Sequence, residues 1–317
     1  MPFTPKNYTA RGKIHAVTVG TGEKTLTLGG QSVLPFYLFD GPMPHRPVIG
    51  LEIAHRQWDV PGLQAFYAGC ETLGEKARRA CRAGADFIAL NLEAADPNGE
   101  DLSVEACVAD ALSVADAVEL PLAILGCRNP DKDGVLFPAL AEALAGKNVL
   151  FLSAVQENYQ QIAPAIIKYG HKLCGETADD VTLAKQLNIL LTGDAAMPAE
   201  HIVMNIGTAP VGYGFEYVAS TMDRIREAAL QQNDLDLVMP ILAPVAADAW
   251  GVKEATATEE DEPAWGDREE RGICMEIATA AANLTGGADG VILRHPEGVK
   301  TVREFICGLM GGEDDGA

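Results

Sequence analysis

Residues 86–125, DFIALNLEAADPNGEDLSVEACVADALSVADAVELPLAIL, decide the fold. They open on Asp86–Leu92, an apolar run whose first polar side chain after Asp86 is Asn91, as expected of a parallel strand covered on both faces. A polar loop follows. Residues 103–117 then carry a helical pattern, with Ser103 placed to cap its first turn. Leu120–Leu125 returns to the apolar run. Strand, loop, helix and strand in about 40 residues make one βαβ unit, which predicts a parallel sheet.

The same alternation extends in both directions. Candidate strands are Val48–Ile53, Asp86–Leu92, Leu120–Leu125, Val149–Leu152, His171–Gly175, His201–Asn205, Leu237–Leu242 and Gly290–Leu293. Helical patterns cover 71–83, 103–117, 134–145, 158–169, 178–191, 214–230, 268–286 and 297–310, and Gly84 is placed to end the first. Eight units in strict alternation predict an α/β fold, a closed (β/α)8 TIM barrel, over residues 47–310. Residues 1–46 precede it as an extension. There Lys13–Val19 and Lys24–Leu28 alternate in polarity around Gly20-Thr21-Gly22-Glu23, a β-hairpin signal. The hairpin is expected across the N-terminal floor of the barrel. The acidic tail, residues 311–317, is expected to be disordered. The longest connection, 243–267, follows the seventh strand and includes TATEEDEPAWGD at 256–267.

The 317 residues include 45 acidic and 24 basic side chains, a net charge of −21. Such a charge argues against nucleic acid as a partner, because a phosphate backbone needs a basic footprint. No apolar run approaches the roughly 20 residues that span a bilayer, and residues 1–13 lack the apolar core of a secretory signal. No membrane partner and a cytoplasmic location are therefore expected. Seven scattered cysteines with no CxxC spacing read as reduced thiols, with neither an iron–sulfur cluster nor a metal site in this chain. Two motifs are decoys. Gly20-Thr21-Gly22-Glu23-Lys24-Thr25 has Glu where a phosphate loop needs Gly, and a strand follows it. Gly212-Tyr213-Gly214 lacks the third glycine of a dinucleotide fingerprint and follows the sixth strand, not the first.

A barrel gathers its ligands at the C-terminal ends of its strands, and there this chain is polar. Asn91 ends the second strand, with Asp96 beyond it. Gly126-Cys127-Arg128-Asn129 follows the third, Gln156-Glu157-Asn158-Tyr159 the fourth and Glu176-Thr177 the fifth. Asn205 ends the sixth, followed by Gly207 and Thr208. Arg294-His295-Pro296-Glu297 follows the eighth. Six such segments round one rim, rich in amides and hydroxyls, suit a large polar ligand better than metal chelation. No spacing assembles a Ser–His–Asp triad or a carboxylate pair.

Several segments resemble the small subunit of the corrinoid iron–sulfur protein, also called the delta subunit of acetyl-CoA decarbonylase/synthase. They include Leu34-Pro35-Phe36, residues 46–52 (RPVIGLE), Ala95-Asp96-Pro97, Gln156-Glu157-Asn158-Tyr159 and residues 185–190 (KQLNIL). Gly212-Tyr213-Gly214 with Glu216-Tyr217, residues 222–226 (MDRIR), Trp265-Gly266 with residues 270–273 (ERGI), and Arg294-His295-Pro296-Glu297 continue the series. The resemblance spans roughly residues 30–310. It departs from the family pattern at Arg128-Asn129-Pro130, at Ser153-Ala154-Val155 and at Asn205–Pro210, which lacks an expected Asp-Pro.

The resemblance implies a TIM barrel paired with a corrinoid iron–sulfur protein large subunit. That partner carries a 4Fe–4S cluster and cobalamin, and the corrinoid is held at the interface over the barrel mouth. It further implies a non-catalytic role while a methyl group passes from methyltetrahydrofolate, or a pterin analogue, to acetyl-CoA synthase in the reductive acetyl-CoA pathway. Methyltetrahydrofolate methyltransferase and acetyl-CoA synthase are the other implied partners. The residues offered as corrinoid contacts are Asn91, Asp96, Cys127, Gln156, Asn158, Tyr159, Asn205, Gly207, Thr208, Tyr213, Arg294 and His295; Asn158 has a rival role as a helix cap. The alternative is a pterin-dependent methyltransferase barrel that uses Asn91, Asp96 and Asn205.

Overall fold

The computed structural model describes residues 8–311; from residue 312 on, the acidic tail lies outside the described residues. β1 (Ala16–Thr21) and β2 (Lys24–Gly29) form the hairpin. Their pairing from Ala16–Gly29 to Thr21–Lys24 narrows the turn to Gly22-Glu23, with Gly22 at a φ of 67°.

The barrel strands are β3 (Val48–Ala54), β4 (Phe87–Asn91), β5 (Leu122–Leu125), β6 (Leu150–Ala154), β7 (Lys172–Glu176), β8 (Ile202–Asn205), β9 (Leu242–Ala243) and β10 (Gly290–Leu293). They lie in parallel in the order β8-β7-β6-β5-β4-β3-β10-β9. The ring closes where Met204 of β8 bridges Ile241 and its N–H donates to Pro240 O at 2.8 Å. The expected seventh strand, Leu237–Leu242, is thus corrected to a short β9. Pro240 and Pro244 lack N–H groups and bracket it, so little backbone there can join a ladder. Asp289 buttresses this seam: its Oδ2 accepts from Arg226 Nη2 at 2.5 Å and from Ile241 N at 2.8 Å.

The helices are α1 (Pro61–Phe66), α2 (Leu73–Cys81), α3 (Val104–Ala117), α4 (Pro130–Ala143), α5 (Tyr159–Tyr169), α6 (Val181–Ile189), α7 (Phe215–Gln231), α8 (Ala246–Ala249), α9 (Lys253–Thr256), α10 (Arg268–Gly286) and α11 (Pro296–Met310). Ser103 caps α3 as its sequence predicts, accepting from Ala106 N at 3.2 Å. α4 begins four residues before its apolar pattern does. Asn129 accepts from Lys132 N, and Pro130 takes the first helical position, where its missing N–H costs nothing. The long 243–267 connection holds α8 and α9.

Period-two alternation divides each strand. Val48, Phe87, Ala89, Ala123, Leu150, Cys174, Val203, Leu242 and Ile292 fill the barrel interior, whereas Ile49, Ile88, Ile124, Phe151, Leu173 and Val291 pack beneath the helices. Gly50 is required by this packing, since a Cβ there would lie 2.3 Å from the Phe87 ring. Val17, Val19 and Leu28 of the hairpin, each at most 2% exposed, join the interior cluster. They plug the floor, at roughly 1.5–3 kcal/mol per buried side chain. Asn148, which precedes β6, pins the plug by donating from Nδ2 to Thr18 O and Gly20 O. The N-terminal end is sealed and the C-terminal end is open.

Candidate functional site at the barrel mouth

The same alternation, carried up each strand past the apolar interior, fixes which side chains look into the mouth. Two residues beyond Ala89, Cys174, Val203 and Ile292 stand Asn91, Glu176, Asn205 and Arg294, and four beyond Val48 stands Glu52. The inner face changes from apolar to polar at this level on five of the eight strands.

Glu52 is the hub of one half of the rim. It is 1% exposed; Oε1 accepts from Asn91 Nδ2 at 2.6 Å and Oε2 from Arg294 Nε at 2.9 Å. The Arg294 guanidinium lies 4.8 Å from the centre of the Trp58 ring. Such a pair satisfies both charges while keeping two polar edges at the opening. Nearby, burial and then the Glu52 charge push the Glu93 carboxyl up.

On the other half, β6 carries a bulge. Its register with β7 shifts between Leu152 and Ala154, and Ser153 adopts a φ of 91°. Bulges of this kind re-aim side chains at barrel rims. Here Ser153 Oγ is brought onto the Glu176 carboxylate. Asn205 Oδ1 accepts from Gly207 N at 3.1 Å, and the Thr208 hydroxyl donates to Asp248 of α8.

Between the halves sits the loop after β5. Cys127 is 7% exposed and its Sγ donates to Asp133 Oδ1 at 3.3 Å. Burial pushes this thiol up to about 12. Two adjoining cavities open over the mouth, with about 650 and 740 Å³ of open space. Arg128 and Pro244 line both.

Six of the twelve expected residues therefore line the mouth: Asn91, Cys127, Asn205, Gly207, Thr208 and Arg294. Gln156 is exposed in the loop just beyond β6. The others are turned elsewhere. Asn158 is 1% exposed; although it stands at the cap position of α5, its Oδ1 accepts from Val155 N inside its own loop and makes no cap bond. The Tyr159 hydroxyl donates to Asp194 Oδ2 at 2.7 Å beyond the end of α6. Asp96 Oδ1 accepts from Asn98 N, closing a turn in the β4–α3 loop. Tyr213 is exposed on the outer rim and donates to Glu254 Oε2.

His295 lies behind the barrel wall. It is 2% exposed, stacked 6.0 Å from the Trp250 ring, with Nε2 3.1 Å from Glu269 Oε1. Beside it, fully buried Glu276 accepts from Trp250 Nε1 (3.0 Å), Arg294 N (2.6 Å) and His295 N (3.1 Å). Burial pushes that carboxyl up to about 7. It ties the loop carrying α8 to the end of β10 and so aims Arg294 inward. Neither cavity is lined by a histidine.

The sequence reading placed Glu176 in a polar rim segment without offering it as a ligand contact, and it passed over Glu52, Ser153 and Asp248 as site residues. For Glu52 a signal existed: it is the one charge within VIGLEIA, a strand otherwise apolar on both faces.

Residues 16–295 match the family model described as CO dehydrogenase/acetyl-CoA synthase delta subunit. The acetyl-CoA decarbonylase/synthase complex subunit delta of Archaeoglobus fulgidus is 34% identical over 329 residues, covering 99% of this chain and 72% of that protein. The protein of the same description from Methanothermobacter thermautotrophicus is 32% identical over 313 residues, covering 96% and 77%. Among solved structures, dihydropteroate synthase from Vibrio fischeri superposes with a TM-score of 0.60 at 10% identity, over 94% of this chain and 99% of that one. Dihydropteroate synthase from Xanthomonas albilineans with 4-aminobenzoic acid gives 0.57 at 14% identity, over 90% and 95%. At such identities the likeness is one of fold, the TIM barrel.

Proposed function

The chain belongs to the CO dehydrogenase/acetyl-CoA synthase delta subunit family, and from that premise we propose that its open mouth caps a corrinoid carried by a large partner subunit. On this reading the partner also holds the 4Fe–4S cluster. The methyl group comes from methyltetrahydrofolate or a pterin analogue through a separate methyltransferase and leaves for acetyl-CoA synthase. The reading places the protein in the reducing cytoplasm, supported by seven cysteines that are all free thiols.

One observation carries the proposal: the ring of inward polar side chains at Glu52 near the end of β3, at the last positions of β4, β7 and β8 and just past β10, open above and sealed below. A corrinoid presents a rim of carboxamides, which donate and accept. The mouth offers matching groups, carboxylate and amide oxygens as acceptors and guanidinium and amide N–H as donors. Glu93 Oε1 and Thr177 Oγ1 are buried there without a hydrogen-bond partner, as expected of groups that await one. When bound, the corrinoid supplies a cobalt centre able to accept and pass on a methyl group. The chain's own residues exclude water from above it and hold its edge. They also withhold competitors. Cys127 keeps its proton against Asp133, and His295 is held behind the wall between Trp250 and Glu269.

Asn205→Ala and Gln156→Ala test this in the assembled complex. Each removes one neutral group facing the ligand, worth about 1 kcal/mol and so about fivefold in rate. Cobalt methylation is expected to slow by that factor with the barrel's melting temperature nearly unchanged. Normal methylation and normal corrinoid retention in both variants would contradict the assignment, and a fall in melting temperature alone would make these residues structural.

A further inference from the structure

Arg128 combines two features that the packing of the barrel does not call for. Its backbone sits in the left-handed region at a φ of 64°, a conformation that a residue of this type keeps only when its surroundings enforce it. Its side chain lines both mouth cavities, and among the described residues it makes no hydrogen bond or ion pair. The other cation of the mouth, Arg294, is already paired with Glu52. Arg128 is thus a free guanidinium held over the opening.

What enforces the loop is Asp133, in the first turn of α4 and 1% exposed. Its Oδ1 accepts from Cys127 N at 2.9 Å and from Cys127 Sγ, and its Oδ2 accepts from Arg128 N at 3.1 Å. Gly126 makes room for this carboxylate, since a Cβ there would lie 2.5 Å from both oxygens. One buried carboxylate therefore fixes three consecutive residues and points the third across the mouth.

We propose that Arg128 grips an oxygen acceptor on the ligand's periphery and that Asp133 is the positioning residue that holds it there. The inference rests on the corrinoid reading and deepens it. Two oxygen sources share the chemistry that a guanidinium recognises, the carboxamide carbonyls of the corrin edge and the phosphodiester of the nucleotide tail.

The test is tryptophan-fluorescence titration of the purified full chain with cobalamin and with cobinamide, which lacks the nucleotide tail. Arg128→Gly puts a residue at ease in the left-handed region into the same loop. It is expected to melt at the same temperature as the parent or higher, yet to bind corrinoid about tenfold more weakly. Weakening toward both ligands supports the carbonyl contact, and weakening toward cobalamin alone supports the phosphodiester. Asp133→Asn is expected to weaken binding in the parent and to add no further loss in the Arg128→Gly background, which a merely structural role would not produce. If Asp133→Asn fails to fold, the Arg128→Gly comparison decides alone. Binding of both ligands by Arg128→Gly as tightly as by the parent overturns the inference. Binding of neither ligand by the parent, alone or in complex with the corrinoid-free large subunit, overturns the corrinoid reading beneath it, and the inference with it.

Discussion

Cys127 lines the opening without being reactive itself only if its proton stays on sulfur. Burial, the first cause, pushes the thiol up to about 12. At pH 8 about one molecule in ten thousand then carries the thiolate, the form that alkylates. Iodoacetamide should therefore modify Cys127 on the order of a thousandfold more slowly than the exposed thiol of Cys274, which serves as the internal standard. Peptide mass spectrometry over time measures both, and comparable rates would contradict this account of the site. At this scale the sequence is partly legible. Asn91, Asn205 and Arg294 could be read as mouth residues because each ends or just follows an apolar strand. Asn158, Tyr159 and His295 could not be placed, because which way a residue faces beyond a strand depends on the Ser153 bulge and on where the next helix starts.

Strands and helices meet through a few buried polar groups, and His171 is one of them. It is fully buried at the start of β7, accepting from Val149 N at Nδ1 (3.1 Å), with Nε2 2.9 Å from Ala141 O near the end of α4. Those partners fix the neutral tautomer that carries hydrogen on Nε2. Burial holds its pKa below the usual histidine range. In the unfolded chain the ring takes up a proton near pH 6.5. Its stabilising contribution is thus fully present above about pH 6.5 and is lost as pH falls through the lower folded value. Between pH 7.5 and 5.5 the melting temperature should drop further for the parent than for His171→Gln, measured by calorimetry, and equal drops would refute the linkage. Element order was legible from periodicity because parallel strands covered on both faces read as apolar runs. β9 was not, because Leu237-Val238-Met239 is as apolar as a strand, while the prolines at 240 and 244 deny it hydrogen bonds.

The molecule as a whole is a barrel stopped at one end and open at the other. Val17, Val19 and Leu28 close the floor, and a layer of carboxylate, amide and guanidinium groups lines the opening. This polarity of architecture was visible in the sequence as a hairpin before the first strand and polar residues after six others. The pairing of Glu52 with Asn91 and Arg294 was not, because it joins residues 39 and 242 positions apart. On the proposed reading it is the mouth, and not the floor, that meets a corrinoid-bearing partner. Hydrogen–deuterium exchange of this chain, alone and mixed with the corrinoid-loaded large subunit, tests it most directly. Slowed exchange is expected in residues 126–129, 153–158 and 205–214, with the 16–29 hairpin unchanged. Protection of the hairpin with the mouth unchanged, or no protection anywhere at micromolar concentrations of both chains, would contradict it.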